Sequence, residues 1–222
     1  MKELDQFAYV ASHDLKAPLR AINTLAGLIR SDLGGTISQE SQDNLTLLQN
    51  RIRRMEELLN ALLQYSRVGK IKYEPEDIEV SELIEGIIEL LVPPESMTIS
   101  VKSDIKTIRS VRVTLELVLR NLIGNAIKHH HRADGSIEIT LSKKRDKLVI
   151  TVSDNGPGID PKFHVKIFEM FQTLRPRDEV EGSGMGLAIV KKTVEVLGGE
   201  IAVESRVGEG SKFIVQFPIA MI

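Results

Sequence analysis

Residues 1–68 alternate apolar and polar side chains with a helical period that breaks once. In the first stretch Leu4, Ala8, Ala11, Leu15, Pro18, Ile22, Leu25 and Ile29 recur at steps of four and three, the a/d seam of a heptad pattern. Gly34-Gly35 ends that helix, and Ser38 is placed to cap the next one. The second stretch repeats the pattern in Leu45, Leu48, Ile52, Met55, Leu59 and Leu62, while Leu47, Leu58 and Leu63 widen its stripe. Two seamed helices joined by a short turn predict a helical hairpin. A lone hairpin leaves much of such a stripe wet, so the pattern predicts a homodimer in which two hairpins form an antiparallel four-helix bundle. Packing of the hairpin on the rest of its own chain is the alternative.

The pattern then changes. Residues 69–80 contain Gly69, Pro75 and several charges and predict a hinge linker. Residues 81–91 predict a helix that Pro93-Pro94 ends. Residues 97–102 predict a strand and residues 111–131 a long helix. Residues 136–142 and 147–153 predict strands joined by a charged turn. A helix over 187–197 is closed by Gly198-Gly199, and strands over 201–205 and 212–217 flank Gly208-Glu209-Gly210. Short connections between adjacent strands predict a mixed, mainly antiparallel sheet with helices on one face. The predicted organisation is therefore a helical hairpin over 1–68, a linker over 69–80 and an α/β sandwich domain over 81–222.

Composition narrows the function. Of 222 residues 42% are hydrophobic and 27% charged, which fits a globular chain rather than a disordered one. A net charge of −2 argues against nucleic-acid binding through bulk positive charge. The absence of cysteine excludes disulfides, thiolate nucleophiles and Cys-built zinc sites. No apolar run approaches the roughly 18 residues of a membrane span. Met1-Lys2-Glu3-Leu4 lacks the apolar stretch of a signal peptide, and a cytoplasmic location is expected.

Several residues carry candidate chemistry. His13 lies two positions after the seam residue Ala11, at an exposed heptad position. Asp14 follows and can accept a proton from one ring nitrogen, leaving the other nucleophilic. Pro18 withholds the amide that the Asp14 carbonyl would otherwise accept, at about 3 kcal/mol in an ordinary helix. From the chemistry alone, a packing histidine and a reactive one fit equally well. Asn121, Asn125 and Lys128, at i, i+4 and i+7, form one polar stripe, while Leu115, Val118, Leu122 and Ala126 face elsewhere. A carboxamide oxygen suits Mg²⁺ beside phosphate oxygens, and a lysine on the same stripe neutralises phosphate charge. A merely solvated face is usually built from Glu and Lys, and Asn is a poor helix former.

Asp154-Asn155-Gly156-Pro157-Gly158 follows a predicted strand. A carboxylate there can accept a hydrogen bond from a purine amino group, although the run alone is also a turn signal. Gly182-Ser183-Gly184-Met185-Gly186 opens the helix at Leu187, where amides and the helix dipole favour phosphate. It is not a P-loop, because Gly-Lys-Ser/Thr is absent. The polar stretch 172–186 can fold over a ligand as a lid from which Arg175 and Arg177 reach phosphates, although arginines merely exposed on a loop are the more common case.

Together these motifs resemble the two-component sensor histidine kinases over essentially the whole chain. FAYVASHDLKAPL (7–19) resembles the H box, NLIGNAIKH (121–129) the N box and DNGPGI (154–159) the first glycine box. IFEMF (167–171) resembles the F box, GSGMGLAIVKK (182–192) the second glycine box and GEGSKFIVQFP (208–218) the last glycine motif. The resemblance implies His13 as phosphoacceptor, Asp14 as its acidic neighbour and Asn125 as the Mg²⁺ ligand, with Asn121 lining the same pocket. It implies Lys128 at a phosphate-contacting position, His129 near the nucleotide, and Asp154 on the adenine amino group with Gly156 and Gly158 shaping that wall. Gly182, Gly184 and Gly186 match the lid hinge and phosphate loop, Leu187 joins the cofactor-binding positions, and Ser211 matches a hydroxyl near the base.

The implied reaction is phosphoryl transfer from Mg-ATP to histidine and onward to an aspartate in the receiver domain of a response regulator. An upstream sensory domain, missing from this chain, is expected as well. Ala17 stands where relatives that dephosphorylate their regulator carry Thr or Asn, which implies weak phosphatase activity. The strip of Lys16, Ala17, Arg20, Asn23, Thr24 and Gly27 beside His13 is the expected receiver-docking surface. Gyrase- and chaperone-type ATPases use a glutamate where Asn121 stands. An ATP-binding dimeric pseudokinase scaffold is the alternative reading.

Overall fold

The computed structural model describes residues 2–71, 73–130, 134–174 and 182–219, with only the helical backbone for residues 2–13. Helix α1 (Lys2–Leu33) contains Pro18, a 3-10 turn over Gly34–Thr36 reverses the chain, and α2 (Gln39–Arg67) returns. The Ser38 hydroxyl caps α2 by accepting the Ser41 N–H at 3.2 Å.

The hairpin buries less than its pattern offers. Leu19 and Ala26 on α1 and Ile52 and Leu63 on α2 are buried. The expected seam lies on a different stripe of α1: Leu15, Ile22, Leu25 and Ile29 are 44–58% exposed. One helical surface thus carries two apolar stripes, and within a single chain the heptad seam is the uncovered one.

Part of the predicted linker is structured. Residues 76–79 form β1 (Glu76–Glu79), after which α3 spans Val80–Leu91 and β2 Thr98–Ser103. Strand β3 (Thr107–Ser110), which the hydrophobic pattern does not predict, pairs antiparallel with β1 and sets Ile78 opposite Ile108. Helix α4 covers Arg112–Lys128, ending short of the predicted His131; His129 leaves the helix with φ −90° and ψ 0° while its N–H still reaches the Asn125 carbonyl. Strands β4 (Ser136–Lys144) and β5 (Lys147–Asp154) follow, then two 3-10 turns at Pro161–Phe163 and Lys166–Phe168. Helix α5 (Gly186–Val196), β6 (Glu200–Ser205) and β7 (Ser211–Pro218) complete the chain.

The main sheet has the order β2-β4-β5-β7-β6, with β2–β4 parallel and the other pairs antiparallel. A parallel pair needs a crossover, and α4 supplies it. Alternation along the strands sends Ile137, Ile139 and Leu141 of β4 and Phe213, Val215 and Phe217 of β7 to the buried face. Helices α3, α4 and α5 cover that face with Leu83, Ile84, Leu115, Leu119, Leu122, Ile189 and Val194. The result is a two-layer α/β domain behind a helical hairpin, as predicted. Ala61, Leu62, Tyr65 and Val68 near the end of α2 pack against this core. Among the described residues no helix is long and apolar enough to cross a membrane.

Candidate functional site

A cavity of about 290 Å³ opens between α4, the end of β5 and the start of α5. The helical repeat of α4 turns Asn121, Asn125 and Lys128 into it while Leu115, Val118 and Leu122 enter the core. Asn121 Nδ2 donates to the Leu117 carbonyl one turn back, at 2.7 Å. Its Oδ1 thereby faces the first turn of α5, where a Cβ added at Gly186 would stand 2.8 Å away. Position 186 therefore tolerates no side chain without displacing the Asn121 carboxamide.

The opposite wall begins at Asp154, the last residue of β5. Its Oδ1 accepts the Gly156 N–H at 2.8 Å. Burial pushes the Asp154 carboxyl above the ordinary aspartate value, and the N–H donors of Gly156 and Ser211 and the charge of His130 counter part of that rise. Two glycines in the left-handed region let the 206–210 turn close on this wall. A Cβ at Gly158 (φ +69°) would lie 1.8 Å from the Arg206 carbonyl oxygen, and one at Gly210 (φ +84°) 2.0 Å from that of Asp154. Ser205 Oγ accepts the Ile159 N–H at 2.8 Å and donates to the Gly210 carbonyl at 2.6 Å, tying the two turns together.

Of the residues singled out from the sequence, Asn121, Asn125, Lys128, His129, Asp154, Gly158, Gly182, Gly184, Gly186, Leu187 and Ser211 all line this cavity. Gly156 does not; it stands behind Asp154 as a backbone donor. Asp14 is exposed on α1, away from the cavity lining, and the side chain of His13 lies outside the described residues. Arg175 and Arg177 also lie outside them. Ala126, which the helical spacing turned away from the polar stripe, also lines the cavity, as do Gln172, Thr173 and Leu174 of the expected lid stretch; Ile159, Ile167 and Phe213 line it without having been singled out. Ile159, Ile167 and Phe213 fall within the motifs DNGPGI, IFEMF and GEGSKFIVQFP, and that was their only signal.

The cavity combines an apolar slot, one carboxylate, the carboxamides of Asn121, Asn125 and Gln172, one ammonium and the amino end of a helix. A planar base fits the slot beside Asp154, and an anionic tail fits the amides at α5 and Lys128. Among the described residues no group of three or more His, Asp or Glu side chains is placed to hold a metal ion. A hard cation held here would take a carboxamide oxygen of Asn125 and draw its other ligands from the anion and water.

Residues 110–221 match the family model described as "Histidine kinase-, DNA gyrase B-, and HSP90-like ATPase", and residues 3–70 match "His Kinase A (phospho-acceptor) domain". The chain is 36% identical over 217 residues to cyanobacterial phytochrome B of Nostoc sp., covering 96% of this chain and 29% of that protein. It is 34% identical over 220 residues to the phytochrome-like protein Cph1 of Synechocystis sp., covering 98% of this chain and again 29% of the relative. It therefore spans under a third of the length of these relatives. In structure it is similar to full-length ShkA in complex with AMPPNP, with TM-score 0.74 and 26% identity, over 96% of this chain and 45% of that one.

Proposed function

The chain belongs to the histidine kinase family, and on that premise we propose that it is the catalytic core of a two-component sensor kinase. It binds Mg-ATP in the cavity of the α/β domain and transfers the γ-phosphoryl group to His13. A nitrogen of the His13 imidazole forms the new P–N bond, the bond to the β-phosphate oxygen breaks, ADP leaves, and the displaced ring proton passes to Asp14. The phosphoryl group then moves to an aspartate of a receiver domain. The observation that carries this reading is the single cavity that joins Asp154, the Asn121–Asn125–Lys128 stripe and the glycine-opened start of α5.

Each residue has a role derived from its chemistry. Asp154 accepts the purine amino hydrogen, and Gly158 and Ser211 hold the backbone around it. The 182–187 segment offers amides to the phosphates, and Lys128 neutralises their charge. Asn125 would hold Mg²⁺, which would neutralise phosphate charge, and Asn121 lines the same pocket one turn earlier. The uncovered seam of Leu15, Ile22, Leu25 and Ile29 supports a homodimeric four-helix bundle. Arg20, Asn23 and Thr24 are exposed on α1 and support a receiver-docking strip beside His13.

Incubation with labelled Mg-ATP tests the reading. Wild type is expected to acquire acid-labile, alkali-stable label, and both His13→Gln and Asn125→Ala are expected to lose it. Label that persists in His13→Gln, or its absence from wild type despite ATP binding, overturns the proposal.

A further inference from the structure

His130 follows the end of α4, which carries Asn125 and Lys128, and the proposed reaction gives it no role. Its Nε2 lies 2.8 Å from Asn155 Oδ1. The same oxygen accepts the Ser136 N–H at 2.8 Å, and Asn155 Nδ2 donates to the Asp134 carbonyl at 3.0 Å. These two bonds fix which end of the carboxamide is oxygen. The His130 contact is therefore a donation from Nε2–H, and the tautomer or charge state must place a proton there. The Asn155 N–H also donates to the Ser136 carbonyl, at 3.2 Å. Asn155 is thus tied through its backbone and both ends of its side chain, and it immediately follows Asp154.

The ring itself occupies a space that Gly135 leaves, and its edge faces Gly156. A Cβ at Gly135 would stand 2.9, 3.1 and 3.2 Å from His130 Cε1, Nδ1 and Nε2. A Cβ at Gly156 would stand 3.9 Å from His130 Cδ2 and 2.7 Å from Asp154 Oδ1. The imidazole lies against Gly135 with its Cδ2 edge toward the glycine whose N–H holds the Asp154 carboxylate. The end of the phosphate-side helix is thus joined to the base-side wall by one donor, one carboxamide and one backbone turn.

We propose that His130 is a positioning residue for the base-binding carboxylate: its Nε2–H holds Asn155, and through it the 154–156 turn, in the geometry that selects a purine bearing an amino group. The inference rests on the reading of Asp154 given above. His130 touches no reacting atom. Its part is to fix the direction in which Asp154 presents its acceptor, a property on which discrimination between bases depends more steeply than total affinity does. A protonated imidazole also favours the ionised, acceptor-only form of Asp154.

The test compares equilibrium affinities for ATP and for purine riboside 5′-triphosphate, which lacks the exocyclic amino group. Wild type is expected to prefer ATP. His130→Ala is expected to lose about three- to tenfold in ATP affinity, the worth of one hydrogen bond, with its affinity for the analogue unchanged. His130→Gln carries an N–H at the same distance from its Cβ and is expected to keep the wild-type preference. His130→Asn is too short to reach, and should behave as the alanine variant if that one folds poorly. Equal losses for both nucleotides, or a Gln variant no better than Ala, overturn the positioning role. A wild type that binds both nucleotides equally overturns the Asp154 reading instead, and the inference falls with it.

Discussion

The hairpin and the α/β domain solve the same burial problem in opposite ways. In the α/β domain Leu115, Leu119, Leu122, Ile123, Ile137, Ile139, Ile150 and Phe217 are all at most 1% exposed, sealed between one sheet face and three helices. In the hairpin, Leu15, Ile22, Leu25, Leu28, Ile29, Leu47, Leu48 and Met55 stand 42–58% exposed. One region carries its whole core within a single chain. The other carries half a core and leaves the rest for something outside the chain. Apolar surface of that extent on a helix pair marks an association surface. The region that completes itself holds the nucleotide cavity, and the incomplete region bears the proposed phosphoacceptor helix. On this reading, a signal that alters how two hairpins pack reaches His13 without reshaping the ATP pocket.

The strongest test of the contrast is a charge on the open face. Leu25→Glu sets two unpaired carboxylates in the proposed bundle core and should weaken the dimer at least about a hundredfold. Sedimentation velocity should show monomer at concentrations where wild type is a dimer, with ATP affinity unchanged. A variant that still dimerises like wild type would mean that this face is not the interface. A smaller effect is expected from Leu122→Ala inside the α/β core, where the deleted methyls leave a cavity costing about 2–5 kcal/mol. Its urea midpoint should fall equally at low and high protein concentration, whereas that of Leu25→Glu should have lost the concentration dependence seen in wild type. If the Leu122→Ala loss itself varied with concentration, the α/β domain would not be self-sufficient.

The two regions also differed in how far they could be read from sequence. Period and punctuation located α1, α2, α5 and strands β4 to β7 within a residue or two. They did not locate β1 and β3, because four-residue strands such as Glu-Asp-Ile-Glu offer too few positions for alternation to register. In α1 the heptad seam was legible, but its partner was not: Leu19 and Ala26 meet the hairpin while the seam stays open. A pattern specifies an apolar face and says nothing of what covers it. At the cavity the polar stripe of α4 was legible because helical spacing is local. The approach of Gly158 to Arg206 joins residues 48 positions apart and exists only once the sheet has formed. Phe213 was unreadable for another reason, since an apolar residue on an alternating strand looks like core whether or not it lines a cavity.

The smallest expected effect lies where the two regions meet. Lys192 of α5 donates to the Tyr65 carbonyl in the last turn of α2 at 2.8 Å, and its ammonium stands 4.0 Å from the Tyr65 ring centroid. That carbonyl has no intrahelical partner, and a cation at the negative end of α2 is favoured by the helix dipole as well. Beneath this polar contact, Ala61, Leu62 and Val68 pack on the α/β core, and Val196 lies close enough to Gly69 that a Cβ there would meet its Cγ1 at 2.9 Å. The apolar part of the joint is indifferent to small rotations, whereas the lysine bond is directional. Lys192→Met keeps the aliphatic stem and removes the charge. It should cost about 1 kcal/mol and raise the undocked population about fivefold. Hydrogen exchange should then quicken in residues 61–68 and 192–196, with the interior of α4 and the dimer equilibrium unmoved. Unchanged exchange in both segments would assign the joint to its apolar contacts alone. Quickened exchange confined to them would show that the self-contained domain is held to the incomplete one by a contact weak enough to release it toward His13.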